Sequence, residues 1–248
     1  MSWLPRSLDE LTYGFVYAFT SGGFLLIYFG IGSVSEWFVT RVFPARGVGR
    51  ALSQRDLMPG QKLAEIKSSL VSIALFGGYG VLTLFGYRAG FWGIAAATPL
   101  RVVLELALLT LWNEAHFYAI HRLLHTKPLF RLVHREHHRS IRPTSWSTFA
   151  MHPLEATLLG SVMVLVMPFH DFAWLSLLLF PVVSLTLNNI GHMNYDVLRT
   201  GSDWNPLAGS RRHELHHRLV HGNYGFMWPF LDRAFSTELR ERSTPSAR

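Results

Sequence analysis

Two segments of this sequence repeat one pattern. His134-Arg135-Glu136-His137-His138 and His213-Glu214-Leu215-His216-His217 both read His-x-x-His-His, and a smaller pair, His121 and His125, precedes the first copy. Imidazole is the commonest metal ligand and binds through a neutral ring nitrogen. Eight histidines in three clusters exceed what one structural metal needs, since a closed zinc site uses about four ligands. The set therefore points to two metals sharing one site. On a helix, residues three and four apart share a face. His121 and His125 are i and i+4, and each triplet is i, i+3 and i+4, so each cluster is expected to present its imidazoles from one helical stripe.

The elements that must position these clusters are apolar. Of 248 residues, 49% are hydrophobic and 16% charged, below the usual soluble share of about a quarter. The absence of cysteine excludes disulfides, thiolate metal sites and iron–sulfur clusters. A formal charge of +7 could suit nucleic acid. The arginines flank long apolar runs, however, which favours a membrane surface with anionic lipid, and no nucleic-acid partner is expected. Residues 1–10 lack the basic start, short apolar core and cleavage site of a signal peptide.

Apolar runs follow at about 11–34, 66–87, 100–112 (continuing towards the first histidines), 154–167 and 172–187. Spanning a bilayer takes about 20 apolar residues. Gly14, Gly22, Gly23, Gly30 and Gly32 should let the first run pack closely on a neighbour. Glu105, four residues after Arg101, is expected to pair with it. The break at 168–171 makes 154–187 a helical hairpin. The basic loop 41–67 is expected inside by the positive-inside rule, and one topology then puts every histidine cluster on the cytoplasmic face. The fold expectation is an all-α integral membrane protein with four to five apolar helical segments and a cytoplasmic, histidine-rich helical cap. It reads as one membrane domain: N-terminal helices over 11–112, a metal-binding region over 113–237 and a flexible tail over 238–248.

In their order along the chain, after membrane spans, the three clusters resemble the histidine boxes of the fatty acid hydroxylase superfamily, which includes the sterol desaturases and sterol methyl oxidases. The resemblance covers roughly 114–237. His121-Arg122-Leu123-Leu124-His125 looks like the first box, with Glu114 two helical turns before it. His152-Pro153-Leu154-Glu155 is similar to a segment of sterol-modifying members. Asn188-Asn189-Ile190-Gly191-His192 resembles the stretch supplying a ligand between the second and third boxes, and Asn223-Tyr224-Gly225 also fits. Leu231-Asp232-Arg233-Ala234-Phe235-Ser236-Thr237 departs from the family's Trp-Asp-x-x-Phe-Gly-Thr, and Asn188 stands where some hydroxylases have another histidine.

The resemblance implies a membrane oxidoreductase holding two iron ions, with dioxygen as co-substrate and a lipid of sterol or fatty-acyl type as substrate. Its implied ligands are His121, His125, His134, His137, His138, His192, His213, His216 and His217. Glu114, Asn188, Asp232 and His152 are candidates to orient the imidazoles through their other nitrogen. His116 is left out, His170 is expected at the surface, and His221 is ambiguous. No dinucleotide, haem or flavin module is visible, so electrons should come from a separate cytochrome or ferredoxin with its reductase. Two other readings compete. His213-Glu214-x-x-His217 matches the zinc-metallohydrolase signature, with Glu214 as general base. A metal transporter would place such ligands at mid-membrane instead.

Overall fold

The computed structural model describes residues 8–199 and 202–240; most of the expected tail, 241–248, lies outside them. Among the described residues ten α-helices follow in order: α1 (Tyr13–Trp37), α2 (Phe43–Ala45), α3 (Gln61–Arg88), α4 (Pro99–Leu124), α5 (Lys127–Leu129), α6 (Pro153–Gly160), α7 (Val162–Val166), α8 (Trp174–His192), α9 (Gly209–Leu219) and α10 (Phe230–Ala234). The fold is all-α apart from a pair of two-residue strands, β1 (Arg50–Ala51) and β2 (Tyr195–Asp196), which pair antiparallel.

Local chemistry sets the long helices. Thr12 caps α1 by accepting the Phe15 N–H at 3.1 Å, and Thr98 caps α4 ahead of Pro99, whose fixed φ suits a first helical turn. Gly60 and Gly90, both at φ +75°, bracket α3. Three stretches are long and apolar enough to cross a bilayer: Tyr13–Ala45, Gln61–Arg88 and Trp174–His192. A shorter apolar stretch, Pro153–Phe169, forms the first limb of the expected hairpin. α4 has the length of a span but carries Arg101, Glu105 and Glu114.

α1 lies along α3, and their shared core holds Tyr28, Ile73 and Phe76 against Phe149, Met151 and Leu185. The close approach is not made where the sequence suggested. Gly14, Gly22, Gly23 and Gly30 have open space where a Cβ would be, and only Gly32 meets a neighbour, the Trp146 ring. Instead Gly77 and Gly80 of α3 admit Ser21, Tyr17 and Thr20 of α1. A second core joins α4 to the hairpin through Leu109, Met167, Phe172 and Phe180.

Glu105 is paired with Arg101 as expected, at 2.7 Å, and does more: it also accepts from His170 Nε2 at 2.9 Å and from the Ala173 N–H at 2.8 Å. That single buried carboxylate thus clamps the hairpin turn onto α4, which offsets the cost of placing it in an apolar layer. His170 is exposed, as expected, with its Nε2 engaged by this carboxylate.

Candidate metal centre

Helix α4 delivers His121 on its last turn, and His125 is its C-cap. α8 ends on His192. α9 carries His213, His216 and His217. The first triplet does not lie on one helical stripe. His134 closes a π-turn (Phe130–His134), and His137 and His138 belong to a separate 3-10 turn (His137–Arg139). The break turns the imidazoles in different directions. As a result, the nine predicted histidines sort into two nests that cut across the sequence clusters. His121, His125, His134, His138 and His216 form one, and His137, His192, His213 and His217 the other; within each, one nitrogen per residue lies within 4.8 Å of all the others. The nests adjoin, with the His138 and His217 ring centroids 4.6 Å apart.

The tautomers are fixed from outside. His121 Nδ1–H donates to the Tyr224 carbonyl at 3.0 Å, His137 to Ala150 at 3.1 Å, His192 to Asn188 at 2.9 Å and His216 to Gly222 at 2.7 Å. His134 Nδ1–H donates to Glu155 Oε1 at 2.8 Å. A neutral ring that donates through Nδ1 leaves Nε2 as a bare lone pair. Burial holds the rings neutral: it pushes His125 and His134 down to about 3, and burial together with neighbouring imidazoles pushes His213, His216 and His217 well below 6.5.

The bare nitrogens face one another. His137 Nε2 is 3.3 Å from His192 Nε2, and His192 Nε2 is 3.0 Å from His213 Nε2. Because Nδ1 holds the proton in both His137 and His192, their contact is lone pair against lone pair and not a hydrogen bond. His121, His125 and His134 each bury an Nε2 with no hydrogen-bond partner. A cation at the centre of each nest resolves both facts. Nitrogens bound about 2.1 Å from one ion stand roughly 3–4 Å apart, which is the spacing found. The buried Glu155 carboxylate has an unpartnered Oε2, and a dication beside His134 would also offset its charge.

The remaining candidates act at one remove. Glu114 accepts the backbone N–H groups of Phe226, Met227 and Trp228 at 2.9, 2.8 and 3.2 Å. Asp232 accepts those of Tyr224 and Gly225 at 2.8 and 2.9 Å. Together they hold the loop whose Tyr224 carbonyl fixes His121, so neither touches an imidazole through its own side chain as the sequence reading supposed. Asn188 orients His192 with its carbonyl, not its amide. His152 does another job: its Nδ1 accepts the Leu154 N–H and caps α6. The carboxylate that does hold one of the candidate imidazoles is Glu155, bonded to His134, although it was not among the candidates and closes the His-Pro-x-Glu segment.

The turn after α9 also serves the site. Gly222, at φ +69°, brings its carbonyl back to His216, and a Cβ there would meet the Thr237 carbonyl oxygen at 2.6 Å. His221 is exposed beside this turn and lies in neither nest. His116 is buried against Ser161, also outside both. Replacing Glu155 with Gln should weaken metal binding about 10–100-fold while leaving the helices intact, as read by metal titration and circular dichroism. Unchanged affinity would mean that Glu155 does not tune His134.

An apolar cavity of about 720 Å³ lies between α1, α3, α4 and the hairpin. Its wall includes Asn113, Phe117, Asn188 and Phe226. The Phe117 ring packs on His121 with centroids 5.0 Å apart, and Asn188 holds His192, so this end abuts both nests. Phe15, Phe19, Trp174 and Leu178, all exposed, line the cavity as well. Its size suits a single lipid-sized molecule.

The family model described as fatty acid hydroxylase matches residues 106–237. The chain is 30% identical to a putative methylsterol monooxygenase of Dictyostelium discoideum over 58% of its own length and 56% of that protein. It is 31% identical to methylsterol monooxygenase 1 of Gallus gallus over 51% of its length and 43% of that protein. A very-long-chain aldehyde decarbonylase of Oryza sativa subsp. indica is 30% identical over 66% of this chain and 64% of the relative. The chain thus spans about half the length of the curated relatives it matches. No solved structure gives a match.

Proposed function

The chain belongs to the fatty acid hydroxylase family, and from that premise we propose that it is a membrane-bound oxygenase which uses dioxygen and external electrons to hydroxylate or desaturate a C–H bond of a lipid. The observation that carries the reading is the pair of adjoining all-imidazole nests at the end of an apolar cavity. His121, His125, His134, His138 and His216 would hold one iron, and His137, His192, His213 and His217 the other. Imidazole suits iron, and zinc lacks the redox chemistry that dioxygen requires. Bound there, a pair of redox metals supplies electrons to dioxygen and the oxidising power to remove hydrogen from an unactivated carbon.

The protein's own residues supply position and dryness. The carbonyls of Tyr224, Ala150, Asn188 and Gly222 lock the rings of His121, His137, His192 and His216 with the Nε2 lone pair inward, so little reorganisation of these four accompanies metal loading. Phe117 and Phe226, with ring centroids 5.0 Å apart, narrow the passage beside His121 and favour an apolar substrate over bulk water. The methylsterol and long-chain aldehyde named for the relatives are of the size and polarity that such a cavity takes. Electrons come from a separate cytochrome or ferredoxin with its reductase. The basic loops support a cytoplasmic position for the nests by the positive-inside rule. Purified protein with an electron donor and dioxygen should convert a sterol or fatty-acyl lipid to a hydroxylated or desaturated product. Turnover with zinc alone and no reductant would overturn the proposal.

The hydrolase reading has a specific observation against it. His213 and His217 share a nest, but Glu214 stands outside it and lies 3.4 Å from Arg218. A general base must reach the metal-bound water. Glu214→Gln should therefore keep lipid oxidation within about threefold of wild type, whereas a zinc hydrolase would lose the 10²–10⁴-fold that a general base contributes.

A further inference from the structure

Among the polar side chains on the wall of the apolar cavity, Asn113 is the one that buries a nitrogen without a partner. Asn113, on α4, is 6% exposed and lines the cavity, and its side-chain Nδ2 has no hydrogen-bond partner. Two other polar side chains on the wall are engaged: Tyr79 donates to the Thr157 carbonyl, and Asn188 Nδ2 to the Thr148 carbonyl at 3.4 Å. Asn113 precedes His121 by eight residues, about 12 Å along the helix axis at 1.5 Å per residue. One turn on from Asn113, His116 buries an Nδ1 that also lacks a partner. Buried polar groups are almost always hydrogen-bonded, and an orphaned one marks a place where something else binds.

We propose that Asn113 is a specificity-determining residue that holds an oxygen atom of the substrate, so that the cavity selects a lipid bearing a hydroxyl or carbonyl group over the corresponding hydrocarbon. This rests on the lipid-oxidising reading only in taking the cavity as the substrate's. An amide can present either its N–H or, after a half-turn, its carbonyl, and a hydroxyl both accepts and donates. With its oxygen held at Asn113, about 12 Å along the helix axis from His121, the lipid is fixed at one end and presents to the nests a carbon many bonds away from that oxygen. A site built to bond an oxygen rejects the analogue that lacks it, because its own polar group is then left unpaired.

The test needs no turnover, so it stands or falls separately from the oxygenase reading. The full-length protein in lipid nanodiscs is incubated with equimolar 1-octadecanol and octadecane, and separately with cholestanol and cholestane; lipid retained above protein-free discs is quantified by mass spectrometry. In at least one pair the wild type should enrich the alcohol about tenfold, the effect of roughly one hydrogen bond. Asn113→Leu should abolish that enrichment, and Asn113→Ser, which keeps a donor and an acceptor, should retain part of it. Equal retention of alcohol and hydrocarbon by the wild type in both pairs overturns the proposal, and means that a buried water satisfies Asn113. An enrichment that survives in Asn113→Leu overturns it as well. If the Leu variant fails to fold, the wild-type ratio and the Ser variant still decide.

Discussion

Replacing His216 with Ala should eliminate lipid oxidation and reduce bound metal to about one ion per chain. His216 is the only member of α9 in the five-histidine nest, where its Nε2 lies 3.1 Å from His138 Nε2 and its ring packs against His121 and His125 with centroids 4.5 and 4.7 Å apart. Its neighbours His213 and His217 belong to the other nest. The substitution therefore empties one position of one nest and leaves the four-histidine nest with its full set. It also releases the Gly222 carbonyl, which loosens the turn carrying Asn223 and Tyr224. His221→Ala is the matched control: it sits five residues away, outside both nests, and should keep full metal content and activity. Metal analysis and product assay on both variants check this. If His216→Ala retained two ions per chain, the assignment of His216 would be wrong.

Stripping the metals with a chelator should lower the thermal midpoint by about 10 °C, and ferrous iron should restore it. An ion present at a thousand times its dissociation constant stabilises the folded state by about 4 kcal/mol, and 1 kcal/mol shifts the midpoint of a chain of this size by about 2–4 °C. The physical source is specific. Without ions, the Nε2 lone pairs of His137 and His192 oppose one another at 3.3 Å, and the Nε2 atoms of His121, His125 and His134 stay buried without partners. The buried carboxylate of Glu155 also loses its nearest compensating charge. Magnesium should not substitute, since it prefers oxygen ligands and keeps its waters. A midpoint indifferent to chelator, with metal loss verified, would show that the fold tolerates these rings as plain core histidines.

The convergence of these histidines was legible because imidazoles at i, i+3 and i+4 are rare without a reason, and the resemblance supplied His192, which stands alone in the sequence and joins the second nest. What spacing could not convey was how the set divides. The π-turn ending at His134 and the 3-10 turn at His137 are backbone events with no clear residue signature, and they send adjacent members of one box to different nests. On α9 the rule that i and i+4 share a face did work: His213 and His217 point together, and His216 points elsewhere. The supporting contacts were harder to read because most are main-chain carbonyls, which any residue type offers. Glu155 was the exception. A carboxylate at the head of an apolar stretch is a signal in itself, but His152 beside it looked more like chemistry and proved to be a helix cap. The glycines misled for a related reason: composition marks where a helix could pack closely, whereas the partner face, here Gly77 and Gly80 of α3, decides where it does.

The central claim is that two redox metals sit side by side in nitrogen-only surroundings. X-ray absorption at the iron edge of the purified, reconstituted protein, combined with elemental analysis, tests it most directly. The account predicts about two irons per chain, a first shell dominated by imidazole nitrogen at about 2.1 Å with no sulfur, and outer-shell scattering from a neighbouring iron. One ion per chain, or a native complement of zinc that alone supports activity, would contradict it.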